Sequence, residues 1–354
     1  MKILRLSTYL DFGGVETRLA NVSHVQAHND WVFVCLNREG KAADTIRTNR
    51  KKVINLHAKP SIYSVLTLVK VYKMLKKIKP DVIHTSGAEA NFHGILAAKM
   101  AGIRVIIGEE IGIPSHSKKA QFIFSRVYAL ADYLVGNSQA VLDVVHHVDK
   151  VPVRKLVKIP NPILFRDLSA YPKESSSDGL LRLLMISRLE PVKNIDGVIR
   201  VVHKLVNEGI AVHLTVAGNG AAEDELKELV AVLKLNDSVF FTGFIKDPYP
   251  FLANADLYIL NSFSEGFSNS LVEAMYSKTP SLSTAVGAAP EIITDHENGF
   301  LVLPNDDGAL YIKLKQIISL SKEKRDEIAK KGHEMIVKNF SLENHVAALM
   351  KIYK

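Results

Sequence analysis

The feature that most constrains this chain is an alternation of short β-branched runs with longer amphipathic stretches, interrupted once and then restarted. Such alternation is the signature of parallel βαβ units. In the first series, strands are predicted at residues 2–7, 31–36, 53–56, 82–84, 105–107, 133–135 and 156–159. The clearest helix is predicted over 62–78, with Val65, Leu68, Val69, Tyr72 and Leu75 on one face. Lys73, Lys76, Lys77 and Lys79 gather at its end, where cations suit the helix dipole, and Pro80 stops it. From 159 to 180, Pro160, Pro162, Pro172, the serines at 175–177 and Gly179 make a polar stretch that reads as a linker. A second series follows, with strands at 181–186, 212–217, 239–241, 257–260, 281–283 and 300–302, then three helical segments from Asp306 onward. The fold class is α/β: two Rossmann-like open parallel sheets facing each other across an interdomain cleft. Open α/β sheets bind ligands beyond the carboxyl ends of their strands.

Composition narrows the class further. The 354 residues are 47% apolar and 23% charged, ordinary globular values that exclude a disordered, collagen-like or disulfide-scaffold chain. A single cysteine, Cys35, fits a reducing cytoplasm and reads as a small core residue. Apolar runs stop short of the ~18–20 residues that span a bilayer, and Asp11 interrupts any signal-peptide core, so a cytoplasmic protein is expected. The net charge of +8 is unevenly spread. Residues 1–170 hold 25 Lys/Arg against 13 Asp/Glu, and residues 171–354 hold 20 against 24. The first half therefore either meets an anionic partner or carries a solubilising coat of lysines.

Three strand ends carry candidate chemistry. Gly13-Gly14 follows the first strand and precedes a helix, which suits either a phosphate loop or a plain tight turn. Arg188 and Lys193 stand beyond the strand 181–186, separated by Pro191; they either clamp a diphosphate or are solvated surface cations. The run Ser264-Glu265-Gly266-Phe267-Ser268-Asn269-Ser270-Leu271-Val272-Glu273 leads from the strand 257–260 into a helix. Gly266 permits close backbone approach, and the amides near Asn269, Ser270 and Leu271 become helix N-terminal donors. Glu265 before that terminus and Glu273 within the helix could grip sugar and ribose hydroxyls. Alternatively, Ser270 and Glu273 match a capping box that serves only the helix end.

Taken in order, these pieces resemble the GT-B nucleotide-sugar glycosyltransferases of family 4. The resemblance is carried by Gly13-Gly14-Val15-Glu16, by Ser187-Arg188-Leu189-Glu190-Pro191-Val192-Lys193-Asn194 and by Ala217-Gly218-Asn219-Gly220 with Val239 to Phe244. It continues through the E-x7-E spacing from Glu265 to Glu273, Gly287 to Ile293 and Asn298-Gly299. It implies an acceptor-binding domain over 1–165, a linker over 166–180, a nucleotide-sugar domain over 181–338, and a helix at 339–354 packing back on the first domain. The implied activity is retaining, metal-independent transfer from a nucleoside-diphosphate sugar, with UDP-sugar favoured, to a saccharide acceptor, lipid-linked, in surface polysaccharide synthesis. No metal or other cofactor is expected, and no nucleic acid.

On that resemblance Arg188 and Lys193 neutralise the departing diphosphate, Gly14 adds a backbone N–H to it, and Glu265 faces the donor sugar with the amides of Gly266 and Phe267. Glu273 holds the ribose, while Gly243, Phe244 and Ile245 line the base pocket; Ser268, Asn269, Ser270 and Leu271 complete the donor loop. The basic first half would meet an anionic membrane surface, placing the protein at the inner face of the cytoplasmic membrane. Where family members often carry a histidine after the strand 105–107, this chain has Glu109-Glu110. Glu110 takes the catalytic place at the donor sugar or acceptor hydroxyl, with Glu109, Glu89 and Asn91 as acceptor-side candidates. Lys278 stands where a glycine is common. Two alternatives remain at this stage: a GT-B-fold sugar-nucleotide epimerase, and a non-catalytic nucleotide-sugar-binding module.

Overall fold

The computed structural model describes residues 1–11, 13–25, 29–113, 117–172 and 179–354. The chain divides into two compact units, Met1–Leu164 with Phe340–Lys354, and Phe165–Asn339. Most of the expected linker belongs to the bounds of the second unit, and its residues 173–178 lie outside the described residues.

The first unit runs β1 (Lys2–Ser7), α1 (Gly14–Val22), β2 (Asp30–Cys35), α2 (Lys41–Thr48), β3 (Lys52–Asn55), α3 (Val65–Ile78), β4 (Val82–Ser86) and α4 (Ala88–Ala101). It continues with β5 (Val105–Glu110), α5 (Lys118–Ala129), β6 (Tyr133–Gly136), α6 (Gln139–His147) and β7 (Leu156–Lys158). The strands form one parallel sheet in the order β3-β2-β1-β4-β5-β6-β7. Its strands read as near-continuous apolar runs because helices cover both faces. Leu4 and Leu6 of β1 enter the layer containing Val71, Ile95 and Tyr128, whereas Ile3 enters the layer containing Leu19, Trp31 and Tyr353.

The second unit runs β8 (Leu181–Ile186), α7 (Ile195–Asn207), β9 (Val212–Ala217), α8 (Glu223–Val232), β10 (Val239–Gly243), α9 (Tyr249–Asn254) and β11 (Leu257–Leu260). Then come α10 (Asn269–Tyr276), β12 (Ser281–Thr284), α11 (Ala289–Ile292), β13 (Phe300–Val302), α12 (Asp307–Ser319) and α13 (Lys322–Asn339). Its parallel sheet has the order β10-β9-β8-β11-β12-β13. The last helix, α14 (Leu342–Ile352), returns to the first unit and buries Leu349 and Ile352, with Tyr353 just beyond it, in that unit's core. In both sheets the strand order reverses beside the first strand of the series, between β1 and β4 and between β8 and β11. Those are the switch points where an open sheet offers a crevice.

Two local expectations are corrected. Helix α3 starts at Val65, because the Ser64 hydroxyl accepts the Thr67 amide and caps it. Its buried stripe is Thr67, Val71, Met74 and Leu75, while Val65 and Val69 are exposed. Both sides of this helix are apolar, so periodicity alone could not choose between them. Strand β5 does not stop at Ile107: Glu109 and Glu110 pair with Val135 and Gly136 of β6.

Candidate active site

At the β8–β11 switch point of the second unit, three strand-end loops pack backbone to backbone. Gly218 donates its amide to the Gly243 carbonyl at 2.8 Å, and a side chain on Gly218 would collide with the Ser187 carbonyl. Leu189 donates to the Asn219 carbonyl, and Phe263 donates to the Val192 carbonyl. This weave fixes the loop 187–194 against the loop 261–268. Within it Lys193 and Glu265, both largely buried, form an ion pair with Nζ 2.5 Å from Oε1, and the Ser262 hydroxyl donates to the same oxygen at 2.7 Å. Arg188 is not drawn into that pair; it is exposed, and Glu190 Oε1 lies 2.7 Å from its Nη1.

Helix α10 begins where the sequence places it, but its cap is Ser268, whose hydroxyl accepts the Leu271 amide. The Ser270 hydroxyl instead accepts from Tyr258 at 2.7 Å. The Ser270–Glu273 capping box is therefore excluded: Glu273 lies beyond the first turn. Burial pushes the Glu273 carboxyl up to about 7, with Asp247 adding to the rise and Arg166 opposing it. Sequence reasoning missed this neighbourhood. Arg166 lies over the Tyr249 ring, and its backbone amide and carbonyl both bond the Tyr276 hydroxyl. The segment carrying Arg166 thus straps α10 from the linker side. Gly243 ends β10 with φ +69, and Phe244 beyond it is exposed. Gly287 has φ +56 and sits against the Glu265 carbonyl, where any Cβ would clash. Lys278 adopts φ 58, the left-handed conformation that favours glycine, in keeping with the glycine that the family resemblance leads one to expect there.

In the first unit, alternation along β5 sends its two glutamates to opposite sides. Glu109 is buried between Arg18 of α1, which grips both carboxylate oxygens, and Arg5 of β1 at 3.1 Å. The Ser86 hydroxyl donates to Oε2 at 2.6 Å. Burial alone would raise this carboxyl, but Arg18, His84 and Arg5 outweigh it and hold it well below the usual range. His84 is itself pushed down to about 4 by burial and by Arg5. It is therefore neutral, and its Nδ1 lies 2.7 Å from the Tyr353 hydroxyl. Glu109 is an internal counter-ion rather than a group presented to an acceptor, which corrects its expected role. Its charged partners are thus Arg5 and Arg18. One signal in the sequence pointed here: Arg5 interrupts an otherwise apolar strand.

Glu110, largely buried, receives the Tyr128 hydroxyl and the Asn91 amide, the latter at 3.0 Å. Asn91 also donates to the Glu109 carbonyl, so it serves the end of β5 rather than standing free. Glu89 accepts from the Thr8 hydroxyl at 3.1 Å. Gly14 opens α1 behind Gly13, whose φ is 150, so its amide has no acceptor within the helix. Among the described residues, no cluster of three or more His, Cys, Asp or Glu side chains is arranged to hold a metal ion.

Two family models cover most of the chain, "Glycosyltransferase Family 4" over residues 12–163 and "Glycosyl transferases group 1" over residues 170–335. The chain belongs to the GT-B glycosyltransferases of family 4. A Campylobacter jejuni relative is 28% identical over 202 residues, 56% of this chain and 54% of the relative. It is the N-acetylgalactosamine-N,N'-diacetylbacillosaminyl-diphospho-undecaprenol 4-alpha-N-acetylgalactosaminyltransferase. The match thus spans about half of that relative's length. The N-acetyl-alpha-D-glucosaminyl L-malate synthase of Bacillus anthracis is 25% identical over 305 residues, 82% of this chain and 79% of the enzyme. The crystal structure of Anabaena HepE in complex with UDP superposes with a TM-score of 0.85 at 22% identity, covering 99% of each chain. The family 4 frame accounts for the paired Rossmann-like sheets and for the motif loops at the β8–β11 switch point.

Proposed function

We propose that this protein is a retaining, metal-independent glycosyltransferase that moves a sugar from a UDP-sugar to a lipid-linked saccharide at the inner face of the cytoplasmic membrane. The observation that carries this reading is the Lys193–Glu265 pair, fixed beside the N-terminus of α10 at a switch point. An ammonium beside a helix N-terminus suits a diphosphate, and a carboxylate next to them suits the hydroxyls of its sugar. UDP in HepE and the diphospho-undecaprenol acceptor in the name of the Campylobacter relative support the choice of donor and acceptor. No helix among the described residues is long and apolar enough to cross a membrane, which leaves the basic first half to make a peripheral contact.

In the reaction, the bond between the anomeric carbon and the diphosphate oxygen breaks as the acceptor oxygen approaches on the same face. The acceptor proton passes to the departing diphosphate, giving a glycoside of retained configuration and UDP. Lys193 and Arg188 stabilise the charge that develops on the leaving group. Glu265, with the amides of Gly266 and Phe267, holds the donor sugar; Glu273 holds the ribose; Gly243, Phe244 and Ile245 line the base. The Gly14 amide adds a donor to the diphosphate. Glu110 orients the acceptor hydroxyl or offsets positive charge at the anomeric carbon, with Glu89 beside it on the acceptor side. The deciding experiment screens thermal stabilisation by UDP-, GDP- and ADP-sugars. A ligand at 100 times its dissociation constant adds ~2.7 kcal/mol. Stabilisation by GDP- or ADP-sugars alone would replace the donor, and epimer formation without acceptor would replace the reaction.

Two results follow from the carboxylates. Ribose hydroxyls donate best to an ionised Glu273, and burial holds that group near 7. Affinity for UDP should therefore rise about tenfold from pH 6 to pH 8, because protonation competes with binding below the raised pKa. Calorimetric titration checks this, and Glu273→Gln should bind weakly with a flat profile. Glu110→Gln preserves shape while removing charge. It should slow transfer about tenfold or more, a barrier increase of ~1.4 kcal/mol, at unchanged stabilisation by the UDP-sugar. Unchanged turnover would remove Glu110 from the mechanism.

A further inference from the structure

The exposed side of α3 has an unusual composition. Tyr63, Val65 and Leu66 are 73%, 72% and 76% exposed, and Val69, one turn on, is 41% exposed. These side chains do not belong to a frayed end. Ser64 caps the helix through the Thr67 amide, and the Thr67 hydroxyl donates to the Lys59 carbonyl, tying the turn to the preceding loop. The opposite stripe of the same helix is buried in the core. The protein thus spends a rigid, capped turn on displaying large apolar groups to solvent.

Charge narrows what can cover them. Residues 45–80 contain ten Lys or Arg and no Asp or Glu. A second copy of the chain pairing face to face would bring two such segments together, and like charges oppose that contact. An anionic lipid surface satisfies both features at once: acyl chains take the apolar tips, and headgroups take the surrounding ammonium groups. Topology adds direction. Helix α3 follows β3, so its first turn stands at the carboxyl-end edge of the sheet, the edge where Gly14, Glu89 and Glu110 lie. Lys76, Lys77 and Lys79, the cluster most prominent in the sequence, lie ~15–20 Å farther along the helix, toward the other edge. Lys59, Lys70 and Lys73, all exposed, lie nearer the apolar turn along the chain, and the Lys70 ammonium donates to the Leu56 and His57 carbonyls.

We propose that the turn formed by Tyr63, Val65 and Leu66 inserts into the interfacial region of an anionic bilayer, anchoring the acceptor-side edge of the first unit on the membrane. This rests on the reading above that the protein works at such a surface, and it adds an apolar component that salt does not screen. Flotation of the full-length protein tests it, using phosphatidylcholine vesicles with and without phosphatidylglycerol. The comparison is with the Tyr63→Ser/Val65→Ser/Leu66→Ser variant, at low salt and at 1 M salt, where charge is screened within ~3 Å. The wild type should float with the anionic vesicles and keep a bound fraction in high salt. The variant should bind about tenfold more weakly or worse, release fully in high salt, and show the same UDP-sugar stabilisation, since none of the three residues belongs to the donor site. Equal flotation of both proteins overturns the insertion while leaving the membrane reading intact. Failure of the wild type to float on any vesicle overturns both. A wild-type dimer that the substitutions dissolve, with no vesicle binding, assigns the face to self-association and overturns the proposal.

Discussion

Lys193→Ala lowers sugar transfer by roughly 30- to 1,000-fold, the rate equivalent of losing ~2–4 kcal/mol of stabilisation made in the transition state. Truncation also leaves the largely buried Glu265 without its cation, so some loss of stability accompanies it, limited by the partial exposure of the pair and by the Ser262 hydroxyl that still donates to Glu265. Lys193 sits in the loop 187–194, whose shape is set by backbone bonds from Leu189 to Asn219 and from Phe263 to Val192, none of which involves its side chain. Its ammonium is held 2.5 Å from Glu265 at the mouth of α10, so truncation removes a positioned charge rather than a packing element. The effect should fall on kcat more than on KM, because the diphosphate gains charge as it leaves. Arg188→Ala should be milder, since Arg188 is exposed and its charge is screened by water and by Glu190. Steady-state kinetics on both variants, with circular dichroism to confirm folding, decide the point. Near-normal turnover of folded Lys193→Ala would remove the ammonium from the reaction.

Glu109→Gln should act on stability rather than on chemistry. The substitution strands the guanidiniums of Arg5 and Arg18, both buried, without their shared carboxylate. Removing one side of a buried ion pair costs about 3–5 kcal/mol, or a fall in Tm of roughly 6–20 °C for a unit of this size. Because the Glu109 carboxyl is held well below its ordinary pKa, its contribution is present above the normal carboxylate range. That contribution is lost as pH falls through the lowered pKa, and the variant should lack this part of the acid dependence. Calorimetry across pH measures both effects. A variant as stable as the wild type, with transfer abolished, would return Glu109 to the acceptor site.

The comparison of these two residues shows what a single sequence makes legible. Lys193 and Glu265 each stand out beside a strand end, yet they are 72 residues apart and only the sheet order reveals that they meet. In the second unit β8, β9, β11 and β13 lie where the hydrophobic runs place them, since turn residues bound each run. Strand β5 was harder. Two adjacent glutamates look like a loop, and they extend the strand because their partners come from β1, α1, α4 and α5. The cap of α10 shows a different limit. Ser268 and Ser270 are chemically alike, and Tyr258 from the neighbouring strand takes the second, leaving the first to the helix. For α3, two apolar sides competed for the core, and tertiary packing against α4 selected the one that carries Val71 and Met74.

The return of α14 to the first unit has a consequence for biosynthesis. A ribosome completes Met1–Leu164 and must then translate the 175 residues of Phe165–Asn339 before the closing helix emerges. At ~5–20 residues per second this takes roughly 9–35 s. Through that interval Trp31 lacks Tyr353, whose ring finally lies 6.2 Å away, and Arg5 and His84 lack the hydroxyl that bridges them. The first unit to be synthesised is therefore the last to be finished, and the second unit can mature in the meantime as an uninterrupted segment. A nascent chain in this state displays part of an apolar layer together with a buried-charge cluster short of one partner, which is the kind of surface that holding chaperones bind.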